Sequence, residues 1–285
     1  MPQWAAFVGL TGFLVTVLLF LSRLSQQTLS GERGGPPAAS GGIARTDARD
    51  RERTYPRFET AEAVRRRRHI EDQLSTGELS TGALLANVAL TQGLFGVLLV
   101  VGAFFFAIPP SALGLTDAAL STGLPAVAIG LAAGGGFWVG NELAATLADG
   151  FGIGFDESLR ELLAPESPGG WAVLLGVVLP TIAVVEELLF RAAAIGVPVA
   201  GLGAPAWAMV AVSSVAFALG HGAQGRVGIA VTGTLGLALG ALFVVTESLL
   251  AVVVAHYCIN ALELVLHEGL GLGRLGSRET RRDDT

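Results

Sequence analysis

Two adjacent carboxylates and a guanidinium stand where no charge is expected. The stretch Val184-Val185-Glu186-Glu187-Leu188-Leu189-Phe190-Arg191 lies inside an apolar run that begins at Trp171. An ionisable group near the middle of a bilayer costs roughly 2.5–3.5 kcal/mol even on lenient insertion scales, so such groups face a bundle interior and mark a functional pathway. At helical spacing Glu187 and Arg191 are four apart and share a face, while Glu186 points about 100° away from its neighbour. Arg191 therefore neutralises Glu187 and leaves Glu186 unpaired, poised to accept protons. A helix-stabilising ion pair with a spare acid is the plain alternative, against which stands the cost of an unpaired buried carboxylate.

Two more polar sets follow at the same spacing, Phe217-Ala218-Leu219-Gly220-His221 and His256-Tyr257-Cys258-Ile259-Asn260. Phe217 should pack beside His221, and His256 should share a face with Asn260. Each histidine taken alone could simply hydrogen-bond a neighbouring helix. Taken together, one free carboxylate, two histidines and an amide could run hydrolysis: Glu and His share base work on a water, and His and Asn donate to a developing oxyanion.

The elements that carry these residues are membrane spans. The 285 residues are 52% hydrophobic and only 15% charged, and a mean hydropathy of +0.61 excludes an ordinary soluble domain. The expected fold is all-α, a polytopic transmembrane helical bundle of about seven spans with its active site within the membrane. Arginine alone supplies basic charge, and a net charge of −6 gives no reason to expect nucleic acid as a partner. The single cysteine, Cys258, permits no intrachain disulfide and reads as a small core residue.

In chain order, residues 1–22 read as a retained N-terminal transmembrane helix, without the basic flank or cleavage site of a signal peptide. Residues 23–80 read as a cytoplasmic Arg-rich linker and surface helix, whose run Arg65–Arg68 sets topology or meets anionic lipid headgroups. Residues 81–268 hold the remaining spans, at 83–108, 119–147, 171–196, 204–221, 227–246 and 249–267, and 269–285 form a polar cytoplasmic tail. Asn141 and Glu142 read as interfacial, with a polar cavity as the alternative, and 148–170 as an interfacial amphipathic helix. The Gly-rich stretches, Gly134-Gly135-Gly136 among them, read as close helix packing.

Glu186-Glu187-x-x-x-Arg191, Phe217-x-x-x-His221 and His256-x-x-x-Asn260 resemble, in order and approximate spacing, the three motifs of the CPBP (CAAX protease and bacteriocin-processing) intramembrane proteases, the type II CAAX prenyl protease family. The resemblance covers roughly residues 120 to 268. It implies a membrane endopeptidase acting on a membrane-associated peptide or protein, with Glu186 and His221 activating water, His256 and Asn260 stabilising the oxyanion, and Arg191 supporting Glu187. A zinc-dependent version would use Glu186, His221 and His256, but the histidines lack His-Glu-x-x-His spacing, so no cofactor is expected and zinc is the alternative. The same residues could instead belong to a non-proteolytic scaffold or immunity protein, or to an ion relay, though no inverted repeat supports a relay. Serine chemistry is disfavoured because Ser213 and Ser214 lie about two turns from His221 on the same helix, beyond hydrogen-bond reach.

Depth poses a constraint. His221 ends its apolar run, whereas His256 sits about 10 Å along its helix from the turn at Glu247-Ser248. The two meet only if His221 is drawn inward, with residues 220–226 largely irregular and lining a cytoplasm-open cavity.

Eleven arginines between residues 23 and 80, with Arg274, Arg278, Arg281 and Arg282 in the tail, put both segments in the cytoplasm and the N-terminus outside. A cysteine engineered at Ser40 should resist a membrane-impermeant maleimide applied to intact cells and react after permeabilisation. Labelling from outside would overturn this topology.

Overall fold

The computed structural model describes residues 1–33, 81–150, 160, 163–222 and 225–272. The chain divides into two compact units, Met1–Gln26 with Thr81–Thr285, and Gln27–Ser80. Of the second unit only the helical backbone to Arg33 is described, so Arg65–Arg68, like 151–159, 161–162 and the tail from 273, lies outside the described residues.

The described residues are helical, without a strand. Seven helices follow in order: α1 Trp4–Arg33, α2 Thr81–Phe105, α3 Gly123–Gly150, α4 Pro168–Leu202, α5 Ala206–Gly220, α6 Gly225–Thr246 and α7 Leu249–Gly269. Six of them are long and apolar enough to cross a membrane. The exception is α5. Its 15 residues span about 22 Å at 1.5 Å per residue, against a hydrocarbon core of about 30 Å. The bundle thus has the expected helices, one of them too short to reach both surfaces unaided.

Of the stretch 220–226 expected to be irregular, Gly220 is still helical and α6 begins at Gly225, while 223–224 lie outside the described residues. Gly225 takes φ +76° at the start of α6, a conformation that costs other residues dearly.

The helix carrying Glu186 is not a plain α-helix. Two π-helical stretches interrupt α4, Leu174–Val178 and Leu188–Gly196, and each ends two residues before a proline, Pro180 or Pro198. A proline removes one backbone donor and crowds the carbonyl four residues back, and a widened turn relieves both effects. The second wide stretch starts immediately after Glu187 and contains Arg191.

Without a hydrophobic drive between helices in lipid, close approach must come from small residues. Along α3 a Cβ on Gly130 would lie 2.6 Å from the carbonyl oxygen of Ala251, and one on Gly134 would lie 2.7 Å from both Ala255 O and Cys258 Cβ. The α3–α7 contact is thus backbone to backbone beside His256. Gly135 and Gly136 meet nothing within 4 Å, so only Gly134 of the three serves this packing. At the other end of α7 the Ser248 hydroxyl caps the helix by accepting from Ala251 N at 3.0 Å and donates to Ser121 O at 2.7 Å. Helix α1 reaches the same core: Ser22 Oγ donates to the Gly220 carbonyl at 2.7 Å, one residue before His221.

Replacing Gly134 with Val should destabilise the protein by about 1–3 kcal/mol through overpacking. Gly135→Ala should be neutral or stabilising, because its Cβ meets open space and alanine favours helix. Thermal unfolding in detergent measures both.

Candidate active site

The site is assembled around Glu187. Its Oε1 accepts from Arg191 Nη1 at 2.9 Å and from His256 Nδ1 at 2.7 Å, and Glu187 and Arg191 are fully buried. The guanidinium also donates to Gly236 O at 3.3 Å and stands 4.5 Å above the Phe217 ring, a cation–π contact. One carboxylate oxygen thus ties the helix of the first motif to that of the third, and Arg191 carries the tie to α5 and α6.

Phe217 is the shared wall. Its ring centroid lies 5.1 Å from that of Phe190, 4.6 Å from His221 and 6.0 Å from His256, the first and last edge-on. The expected neighbours Phe217 and His221 therefore do pack together, and the same ring also orients His256.

Glu186 occupies the centre and remains unpaired by Arg191. Its Oε2 is 3.9 Å from His221 Nε2 and 3.8 Å from His256 Nε2, and it has no hydrogen-bond partner among the described residues. His221, which ends the short α5, and His256, two helices further on, thus both approach the same carboxylate oxygen. Both imidazoles have their tautomer set by the other nitrogen. His256 Nδ1 faces a carboxylate and His221 Nδ1 faces the Phe217 carbonyl at 2.9 Å. Those partners only accept, so each Nδ1 carries a hydrogen and each Nε2 is turned towards Glu186.

A cavity of about 410 Å³ opens onto Glu186, His221, His256 and Asn260, and a smaller one of about 260 Å³ reaches Glu186 and His221 from the side of α1. All four proposed catalytic residues therefore face one space. Ser213 and Ser214 do not compete as nucleophiles: their hydroxyls donate to the carbonyls of Phe190 and Val210 at 2.5 and 2.7 Å.

A second polar cluster adjoins the larger cavity. Glu142 is only 1% exposed and takes a hydrogen bond from His267 Nε2 at 3.0 Å. Asn141 lines the cavity itself, as in the polar-cavity alternative that the sequence offered. Arg160 pairs with Glu263 at 2.8 Å and Glu268 at 2.5 Å, and Glu142, Glu263 and His267 bring ligand atoms within 4.8 Å of one another. The i, i+4 pair Glu263 and His267 was the available signal, but Glu142 is 125 residues from its partner.

The apolar helices are those of a polytopic membrane bundle, and the buried acid–histidine set lies among them. Residues 168–262 match the family model described as Type II CAAX prenyl endopeptidase Rce1-like. The match contains every residue from Glu186 to Asn260. No curated protein and no solved structure gives a significant match.

Replacing Arg191 with Leu would leave Glu187 as an uncompensated buried charge and should cost about 3–5 kcal/mol, seen as a lower melting temperature in detergent. Arg191→Lys should recover part of this, since an ammonium keeps the charge but cannot reproduce the fork and the ring contact.

Proposed function

We propose that the protein is an intramembrane CAAX-type endopeptidase that uses Glu186 and His221 to activate water, and His256 and Asn260 to hold the oxyanion. The observation that carries this is the convergence of Glu186 Oε2 on two imidazole nitrogens, at 3.9 and 3.8 Å, in a cavity that Asn260 also lines. In the reaction a water oxygen bonds to the scissile carbonyl carbon while its proton passes to Glu186. The carbonyl electron pair moves onto oxygen, and collapse of the tetrahedral adduct breaks the C–N bond as that proton is delivered to the leaving amine.

The two histidines suit different halves of this sequence. His221 holds its Nδ1 hydrogen on a neutral carbonyl, leaving Nε2 as an acceptor for the water. His256 holds its Nδ1 hydrogen on Glu187, so it can donate from Nε2 only as an imidazolium, a charge that Glu187 is placed to balance. Glu187 would then be the counter-charge of the oxyanion site, as Glu186 is its base. A CAAX-ended, prenylated peptide as substrate rests on the family alone. The short α5 supports a site below the membrane surface, with the larger cavity opening to the cytoplasm.

One observation favours a second reading. A histidine whose Nδ1 is held by a carboxylate or carbonyl while Nε2 points into a shared centre is the arrangement of metal-binding histidines. Glu186, His221 and His256 have the donor chemistry for zinc, which when bound would polarise the carbonyl and acidify water.

Glu186→Gln should lower cleavage of a prenylated CAAX peptide by about 10²-fold or more while the melting temperature stays at or above wild type, since a neutral isostere lowers burial cost. Wild-type rates in this variant would sink the mechanism. Activity should survive strong chelation; loss with chelator and recovery with zinc would favour the metal reading. Metal content must be compared with that of His267→Ala, because Glu142, Glu263 and His267 offer a separate set of ligand atoms.

A further inference from the structure

We propose that Gln92, contributed by α2 from outside the family-matched segment, is the positioning residue of the Glu186 base. This inference rests on the proposed hydrolytic role of Glu186. Arg191 is engaged by Glu187, and among the described residues no arginine pairs with the Glu186 carboxylate. The one hydrogen bond it receives among the described residues is from Gln92 Nε2 to Oε1, at 3.3 Å. A carboxylate only accepts, so the amide nitrogen must face it, and the amide oxygen is directed elsewhere. That oxygen, Gln92 Oε1, is buried without a partner among the described residues. A side chain present for packing alone would be better apolar, and an orphaned buried acceptor is the mark of a group retained for the bond at its other end.

The bond is suited to a base. A neutral amide restrains the carboxylate without neutralising it, as a lysine or arginine would. By holding Oε1, Gln92 fixes the terminal torsion of Glu186, which is otherwise broad and roughly two-fold. The other oxygen, Oε2, is thereby kept towards His221 and His256. Gln92 also lines both cavities that meet at Glu186, so it stands where the base faces incoming substrate from either side. A residue in this position acts through Glu186 and need not touch the reacting atoms.

The test is steady-state cleavage of a quenched fluorogenic peptide ending in a farnesylated CAAX sequence, by the full chain in detergent. Compared are wild type, Glu186→Gln, Gln92→Met and Gln92→Asn. Methionine nearly matches glutamine in shape and cannot donate; asparagine keeps the polarity but is one methylene too short. Both Gln92 variants should lose about 10- to 100-fold in kcat with KM within about twofold, the pattern of a group that serves the chemical step rather than binding. Melting temperatures should stay close to wild type. A purely structural polar role would be rescued by asparagine, and a substrate-binding role would appear in KM. Either result overturns the proposal, as does kcat within twofold of wild type in Gln92→Asn. Should Gln92→Met fail to fold, Gln92→Asn alone decides. If wild type leaves the peptide uncut, or Glu186→Gln cuts it as fast, the endopeptidase reading falls. If Glu186→Gln is inactive and the Gln92 variants are not, only the role of Gln92 falls.

Discussion

The pairing of Glu187 with Arg191 and His256 is the interaction on which the rest depends. A carboxylate and a guanidinium, both fully buried, are tolerable only because each is the other's counter-charge. Their joint geometry then fixes everything around them. Arg191 is anchored on the Phe217 ring and the Gly236 carbonyl, which brings α5 and α6 to the site. His256 is anchored on the same carboxylate, which brings α7. The neighbouring acid is freed by this arrangement: with the cation engaged one face away, Glu186 accepts a hydrogen bond from an amide and faces the two imidazoles. Adjacent glutamates in one sequence thus serve opposite ends, one satisfying a charge and the other remaining available.

Much of this was legible because the decisive relations are local. Glu187 with Arg191 and Phe217 with His221 are i, i+4 pairs on helices, and the helical period alone places their side chains together. The apolar runs gave helix positions to within a few residues, since length and hydropathy govern what can cross a bilayer. What the sequence could not show are relations between helices. The Gln92 bond to Glu186 joins residues 94 apart and the Glu142 bond to His267 joins residues 125 apart. A glutamine or glutamate near the end of an apolar run looks the same whether it meets lipid headgroups or a partner across the bundle. Backbone irregularity was misjudged for a related reason. Glycines at 220, 222 and 225 suggested a long loop, yet helix reaches Gly220 and resumes at Gly225, while the widened turns of α4 left no clear signal besides Pro180 and Pro198.

Close packing fixes the helix that carries His256. The α3–α7 contact through Gly130 and Gly134 leaves no room for a side chain, so α7 cannot slide without its own backbone colliding with α3. His256 follows immediately after Ala255, whose carbonyl makes that contact. The position of His256 is therefore held by main chain on one side and by the buried ion pair on the other.

The bond from Ser22 to the Gly220 carbonyl has a consequence for how the protein is made. The last carbonyls of any helix lack partners within it, and in α5 one of them is completed by a hydroxyl 198 residues earlier in the chain. Helix α5, short and ending beside His221, is thus not a self-sufficient unit of assembly. It can be finished only against a helix already in place, and a chain threaded into the bilayer from its N-terminus has α1 waiting there when α5 arrives.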